Sequence, residues 1–172
     1  MKYFRLFLFY TLLTRLPGPT FPILGPLFEW FRYINCKGIF EKCGKKVNIG
    51  AGAHFGKGFE IEIGDYSGIG KNCRVPGNIY VGNYVMMGPN VTIYGANHKY
   101  ENVDIPMLMQ GVAFAKRTII EDDVWIGGHT IILPGRTIRK GTIVGAGSVV
   151  TKDFPPYSII GGNPSKLIRS RV

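Results

Sequence analysis

The sequence predicts an all-β fold: a parallel β-helix with an N-terminal helical segment and one long extruded loop. Aliphatic residues recur every six positions in two blocks, at Ile63, Ile69, Val75, Val81, Met87 and Ile93 and again at Ile120, Ile126, Ile132, Ile138, Val144 and Val150. The residue after each is usually small or polar, as at Gly64, Gly70 and Gly82. A helix repeats every 3.6 residues and a strand every two, so a period of six indicates a solenoid of short strands and turns.

Such hexads can be assembled into a triangular solenoid. Three of them would form one coil of about 18 residues, with coils stacked about 4.8 Å apart. The first and fifth places of each hexad then point into the core, which predicts that Cys73 is buried. Arg136 also occupies a fifth place, and we expect it to lie near an edge and extend outward. With 172 residues, the chain is long enough for one domain with a core of this kind.

Three ranges divide the chain. Residues 1–46 form a helical segment in which four prolines, from Pro17 to Pro26, exclude one continuous helix. Residues 47–155 form the β-helix, and residues 156–172 form a C-terminal tail. The period of six is lost in 99–117, and loops longer than about 12–15 residues are usually functional or disordered. Because this loop is rich in apolar residues, we interpret it as an arm that folds over a neighbour and helps to wall a site. An excursion made only for packing is the alternative.

The N-terminal segment is both basic and apolar. It holds eight Lys or Arg residues and two Glu, which is +6 of the formal net charge of +10, together with the apolar run from Leu6 to Leu13. That run is too short to span a bilayer, and no small-residue cleavage site follows it. Basic and apolar residues together suit an anionic membrane surface better than a nucleic acid partner, which we do not expect. We expect a cytoplasmic protein in peripheral contact with the inner membrane face; the alternative is that this segment packs on the solenoid end or on another subunit.

Four motifs in a fixed order resemble those of the hexapeptide-repeat acyltransferases: Asn90–His98, Asp123–Gly128, Gly145–Lys152 and Gly161–Lys166. The likeness extends over residues 47–169 and is nearest to the maltose, galactoside and capsular-polysaccharide O-acetyltransferases. It implies a left-handed β-helix, although parallel crossovers are ordinarily right-handed. It also implies a homotrimer whose active sites lie between adjacent subunits, with acetyl-CoA along the groove. No metal is expected, and the three cysteines lack metal-ligand spacing.

Transfer of an acetyl group from a thioester to a hydroxyl needs a base for the hydroxyl proton and a donor for the carbonyl oxygen. His98 matches the catalytic histidine of these enzymes, and imidazole suits the role of base because its pKa lies near neutral pH. The resemblance therefore implies that His98 is the general base; a structural histidine at the solenoid edge is the alternative. A backbone amide or an ordered water near Gly128 is the candidate donor to the oxyanion, and the resemblance implies an amide. Because a thioester is already activated, the reaction requires neither a metal nor a covalent enzyme intermediate.

The candidate acceptor-binding residues are Asn72, Asn90, Asn97, Glu101 and Trp125. Asn90 and Asn97 lie near His98 and could bind acceptor hydroxyls, but asparagine is also favoured in turns with positive φ. The resembling enzymes hold the acceptor with a polar residue about one coil earlier, where this sequence departs from them with Gly70, and Asn72 lies nearby. Glu101 could orient the histidine or contact the sugar. Trp125 follows an inward-facing Val124 and should face outward, where it could line the acceptor or acyl-donor pocket or make a trimer contact.

The candidate acetyl-CoA-binding residues are Gly128, Ala146, Thr151, Lys152, Lys166 and Arg169. The first three match positions where the pantetheine arm runs beside the coil in the resembling enzymes. Small side chains permit that approach, although the repeat itself also favours small residues at these places. The three basic residues are placed for the CoA phosphates, to which cations make charge-assisted hydrogen bonds. A solvated basic tail is the alternative.

Together these observations predict an acetyl-CoA-dependent O-acetyltransferase that acts on a saccharide or lipid-linked saccharide in the biosynthesis of a surface polysaccharide. An antibiotic, an amino sugar and serine are alternative acceptors, and a non-catalytic scaffold is an alternative function. A zinc enzyme of the same architecture needs three histidines at a subunit junction, whereas His54, His98 and His129 are far apart in the sequence.

Overall fold

The computed structural model describes residues 1–114 and 116–172. Ala115, which belongs to the predicted loop 99–117, lies outside the described residues. The chain begins with two α-helices, α1 (Lys2–Thr11) and α2 (Gly25–Lys37), with a short 3-10 helix at Leu13–Arg15 between them. A parallel β-helix follows, as the period of six predicts.

Three faces of the β-helix are formed by two-residue strands stacked in parallel. The first face consists of Lys42–Cys43, Glu62–Ile63, Tyr80–Val81, Ile119–Ile120 and Thr137–Ile138. The second face consists of Asn48–Ile49, Gly68–Ile69, Met86–Met87, Trp125–Ile126, Ile143–Val144 and Ser158–Gly161. The third face consists of Thr92–Ile93, Ile131–Ile132 and Val149–Val150, continued by single-residue bridges at His54 and Arg74.

The core is a column of the residues that open the hexads. All are buried except Met87, which is half-buried, because each two-residue strand turns its second side chain inward. Cys73, in a fifth place, is also buried as predicted, and burial raises the pKa of its thiol to about 11. Arg136 extends outward as expected: its Nε donates to the Pro134 carbonyl at 3.3 Å, and the guanidinium lies 3.7 Å from the Asp153 carboxylate.

The solenoid is longer at both ends than the range 47–155. It begins at Lys42–Cys43, which pairs with Glu62–Ile63 despite the two extra residues in that first coil. At the other end, Ser158–Gly161 adds a parallel strand to the second face. The range 156–172 is therefore not a loose tail, because Lys166–Ser170 pairs antiparallel with Ser158–Gly161 and forms the last strand of that face.

The two helices pack on the first coil. The Phe9 ring is buried 4.7 Å from the Phe55 ring, and the Tyr10 hydroxyl donates to the Gly56 carbonyl at 2.9 Å. Arg32 is fully buried and donates from Nε to the Ile49 carbonyl at 2.7 Å and from Nη1 to the Leu16 carbonyl at 3.1 Å. The segment thus packs on the solenoid end. No helix in the described part of the chain has the length and hydrophobicity of a membrane span.

Candidate active site

An arm that leaves the solenoid presents His98. The residue ends the strand Ala96–His98, which pairs antiparallel with Val112–Phe114 so that His98 lies opposite Val112. The predicted loop is therefore a hairpin, with a 3-10 turn at Met107–Met109 near its tip. It departs where the third face turns toward the first, since the strand Thr92–Ile93 ends just before it.

Side-chain hydrogen bonds hold the arm together and fix its return to the solenoid. Gln110 donates from Nε2 to the Asn102 and Ile105 carbonyls, both at 2.7 Å, and its Oε1 accepts from the Asn102 amide at 3.2 Å. Arg117 pairs with the Glu62 carboxylate at 2.8 Å and donates to the Asn78 carbonyl at 2.6 Å. Sequence reasoning missed both residues because their partners are fixed by the path of the arm, which no repeat specifies.

The His98 ring is exposed, and among the described residues it has no hydrogen-bond partner. Glu101 does not orient it: this carboxylate accepts from the Tyr100 amide at 3.0 Å, and hydrogen bonds from its own amide and from Tyr100 lower its pKa. Asn97 is exposed beside the histidine, opposite Ala113. The arrangement presents an imidazole that can accept a proton from a bound ligand.

Asn72 and Asn90 occupy the corner between the second and third faces. Both have left-handed backbone, with φ of +55° and +58°, at the place in the coil where His129 and Gly147 also have positive φ. The turn chemistry of asparagine therefore accounts for both positions. Asn90 also makes a side-chain contact, because its Nδ2 lies 3.2 Å from Nε2 of His129.

Gly128 and Ala146 lie on this same corner, one coil apart. The Gly147 amide donates to the Gly128 carbonyl at 2.9 Å, so the two turns stack directly. Within the described residues the Gly128 and Ala146 amides donate no hydrogen bond. Lys166 extends this line, since it pairs with Gly161 at the next turn of the same corner.

The corner where the third face turns toward the first contains Thr151 and Lys152. These residues lie two coils beyond the point at which the arm leaves the solenoid. Both are exposed, and Lys152 Nζ lies 5.5 Å from the centre of the Phe154 ring. Arg169 is exposed on the last strand of the second face, opposite Ile159. The cationic candidates thus all lie near the end of the solenoid, but on different edges of it.

Trp125 faces outward, as predicted. It lies on the second face between Met86 and Ile143, and 50% of its surface is exposed. An open groove of about 580 Å³ adjoins it through Met86, with Lys46 and Lys71 among its lining residues. Sequence reasoning missed this groove because its opposite wall is the segment 18–20, whose position depends on how the helices pack.

The candidate residues therefore fall into two groups on two corners of one chain. One group lies at the corner between the third and first faces and consists of His98, Thr151 and Lys152. The other lies at the corner between the second and third faces and consists of Gly128, Ala146 and Lys166. In the described residues no hydrogen bond joins the arm to the second group. Residues 1–114 and 116–172 contain no cluster of three His, Cys, Asp or Glu side chains that could hold a metal.

Residues 117–152 match the model of a protein family described as bacterial transferase hexapeptide (six repeats). The galactoside O-acetyltransferase of Lactococcus lactis is 38% identical over 120 residues, which is 70% of this chain and 54% of that enzyme. The chain thus spans about half the length of this curated relative.

Solved structures share the architecture. A maltose O-acetyltransferase from Clostridium difficile superposes with a TM-score of 0.75 and 33% identity over 92% of this chain and 82% of the other. A hexapeptide-repeat acetyltransferase from Vibrio cholerae, complexed with acetyl-CoA, superposes with a TM-score of 0.74 and 34% identity over 83% of this chain and 77% of the other.

Proposed function

The chain belongs to the hexapeptide-repeat acetyltransferase family, and we propose that it transfers an acetyl group from acetyl-CoA to a hydroxyl of a saccharide. The observation that supports this most is the match to galactoside and maltose O-acetyltransferases, in a chain whose arm presents an exposed histidine. The acetyl-CoA complex of the Vibrio cholerae relative supports the choice of acyl donor.

His98 acts as the general base. Its imidazole accepts the proton of the acceptor hydroxyl as that oxygen attacks the thioester carbonyl carbon. The Gly128 amide, which has no acceptor among the described residues, donates to the oxyanion that forms. When the carbon–sulfur bond breaks, the imidazolium returns the proton to the thiolate of CoA. The products are the acetyl ester and free CoA, with the enzyme unchanged.

The acetyl-CoA site is assembled from two copies of the chain in a homotrimer. The line Gly128, Ala146 and Lys166 gives the pantetheine arm two small residues to run beside and ends at a cation. The neighbouring copy contributes His98, Thr151 and Lys152 from its other corner. Lys152, Lys166 and Arg169 bind the phosphates by charge-assisted hydrogen bonds. This assembly is supported by the separation of the two groups in one chain, because a cyclic trimer brings different surfaces of adjacent copies together.

The acceptor is a saccharide or a lipid-linked saccharide used for a surface polysaccharide, modified on the cytoplasmic side at the inner membrane face. Trp125 offers the acceptor an exposed ring face, and Asn97 and Glu101 lie on the arm beside the base. Asn72 and Asn90 contribute polar side chains from the corner, in addition to their role in the turns. The basic N-terminal segment supports an acceptor that lies near an anionic membrane.

The test is release of CoA from acetyl-CoA by the full chain, with a panel of galactosides, maltose and polysaccharide fragments as acceptors. His98→Ala should lower the rate by about 10²–10⁴-fold and leave the Kd for CoA unchanged, because only the proton acceptor is lost. His54→Ala, an exposed histidine on the first coil, is the matched control and should retain activity. No transfer to any acceptor would favour a non-catalytic binding role, and full activity of His98→Ala would refute the proposed base.

A further inference from the structure

We propose that α1, α2 and the turn between them form an interfacial anchor that binds the surface of a membrane rich in anionic phospholipid. This anchor is separate from the transfer reaction, since it contains none of the proposed catalytic, acceptor-binding or acetyl-CoA-binding residues. The helices lie in the surface with their apolar side chains among the lipid headgroups and do not cross the bilayer.

The outer side of α2 is an apolar stripe. Leu27, Trp30, Phe31 and Ile34 follow the spacing of one helix face, and their exposed fractions are 44%, 52%, 41% and 39%. The opposite side of the helix, which contains Arg32, is buried against the first coil. The stripe therefore faces away from the solenoid, and the described chain covers it only in part.

The neighbouring helix α1 also exposes apolar side chains. Tyr3, Phe4 and Phe7 are 68%, 71% and 67% exposed, although Phe9 on the same helix is buried. The two helices are adjacent, because Arg5 Nη1 donates to the Ile34 carbonyl at 3.2 Å. Large aromatic side chains exposed in this number on neighbouring helices are typical of an interaction surface.

The turn between the helices carries a further exposed apolar side chain. Ile23 is 95% exposed at a φ of +62°, a conformation that β-branched residues rarely adopt. Packing within the chain does not explain this side chain, since it contacts almost nothing there. Insertion between lipid headgroups gives it an apolar environment.

The positive charge of the N-terminal segment favours an anionic partner. Exposed basic residues lie on the same helices and on the link between them, including Lys2, Arg15 and Lys37. Residues 1–46 contain only two acidic residues against eight basic ones. A second copy of the chain would bring the same positive charge to the contact, whereas anionic phospholipid complements it. Aromatic rings and Lys or Arg side chains are also the residues that favour the membrane–water interface.

The helices are too short to cross a bilayer, which agrees with binding at its surface. At 1.5 Å per residue, α1 and α2 extend about 15 and 20 Å, well short of the hydrocarbon core of about 30 Å. Their buried sides are fixed to the solenoid by Phe9 and Arg32, so they can present only one face to a lipid surface. Binding thus holds the solenoid next to the membrane.

The test is cosedimentation of the full-length protein with vesicles. The protein should bind an equimolar mixture of phosphatidylcholine and phosphatidylglycerol, bind phosphatidylcholine alone far less, and release at high salt. The double variant Phe4→Glu, Trp30→Glu should bind about tenfold more weakly or worse, because two apolar contacts are replaced by negative charge. Lys2→Gln and Lys37→Gln should each weaken binding about fivefold on the mixed vesicles.

Val172→Glu is the matched control. Val172 is 92% exposed at the other end of the chain, and the substitution changes the charge as Trp30→Glu does, so vesicle binding should be unchanged. Melting temperatures show that each variant is folded. The proposal is overturned if the wild type binds neither vesicle, or if it binds both equally well. It is also overturned if the double variant keeps its affinity, or if that variant only lowers the oligomeric mass measured by sedimentation equilibrium.

Discussion

The solenoid and the arm differ in how their strands are paired and how far their side chains are buried. In the solenoid, each short strand pairs with the coils on either side, and side chains such as Ile126 and Ile132 are completely buried. In the arm, Ala96–His98 and Val112–Phe114 pair with each other and with no other described strand, and Val103 is 93% exposed. Stability belongs to the repeated part, whereas the proposed general base belongs to the part that interrupts it.

This difference explains how a regular rod can hold a specific site. The backbone of a coil that is paired on both sides cannot reach away from the solenoid. A loop anchored at both ends can, provided that its own hydrogen bonds fix its shape. Gln110 within the arm and Arg117 at its return provide those bonds.

The largest effect should come from a cavity in the solenoid. Ile126→Ala removes three carbon atoms from a side chain with no exposed surface, and we expect a loss of about 2–5 kcal/mol in the free energy of unfolding. Val103→Ala, at the exposed tip of the arm, should change it by less than about 0.5 kcal/mol. Urea unfolding followed by circular dichroism measures both. Equal losses at the two sites would show that the arm is part of the cooperative core.

A smaller effect should follow from loosening the arm. Gln110→Ala removes three hydrogen bonds that fix its path, so His98 should sample incorrect positions. We expect kcat to fall about tenfold, with the Kd for CoA and the melting temperature nearly unchanged, because misplacement of a reacting group slows chemistry without affecting remote binding. Steady-state kinetics with the best acceptor measures the change. The control is Val103→Ala on the same arm; a similar fall in that variant would show that any change in the arm has this effect.

The repeat was predictable from sequence, and the excursions were not. The period of six gave the core positions from Ile63 to Val150 and the outward direction of Trp125, because a coil of fixed length leaves one place for each residue. The same argument misplaced the ends: Lys42–Cys43 and Ser158–Gly161 join the solenoid although the pattern is weaker there. Backbone pairing tolerates an imperfect hexad at an end, where one neighbouring coil suffices.

The candidate site, too, was only partly predictable from the sequence. The sequence located His98 just before the interruption, but the antiparallel pairing of His98 with Val112 depends on contacts that have no period. Asn90 was ambiguous between binding and turn chemistry, and Asn72 was named only from the resemblance. Their positive φ values show that both occupy turn positions, whatever they bind. The separation of Gly128 from His98 could be found only by assigning each residue to a corner.

The central claim is that one site uses His98 from one copy and the corner of Gly128 and Ala146 from another. It is tested by co-expressing His98→Ala and Ala146→Trp chains with different affinity tags and purifying the mixed particles. Each variant alone should be inactive, the second because tryptophan blocks the corner. A mixed trimer contains one junction that joins an intact histidine to an intact corner, so about one third of wild-type activity should return. Mixed trimers without activity would contradict the shared site.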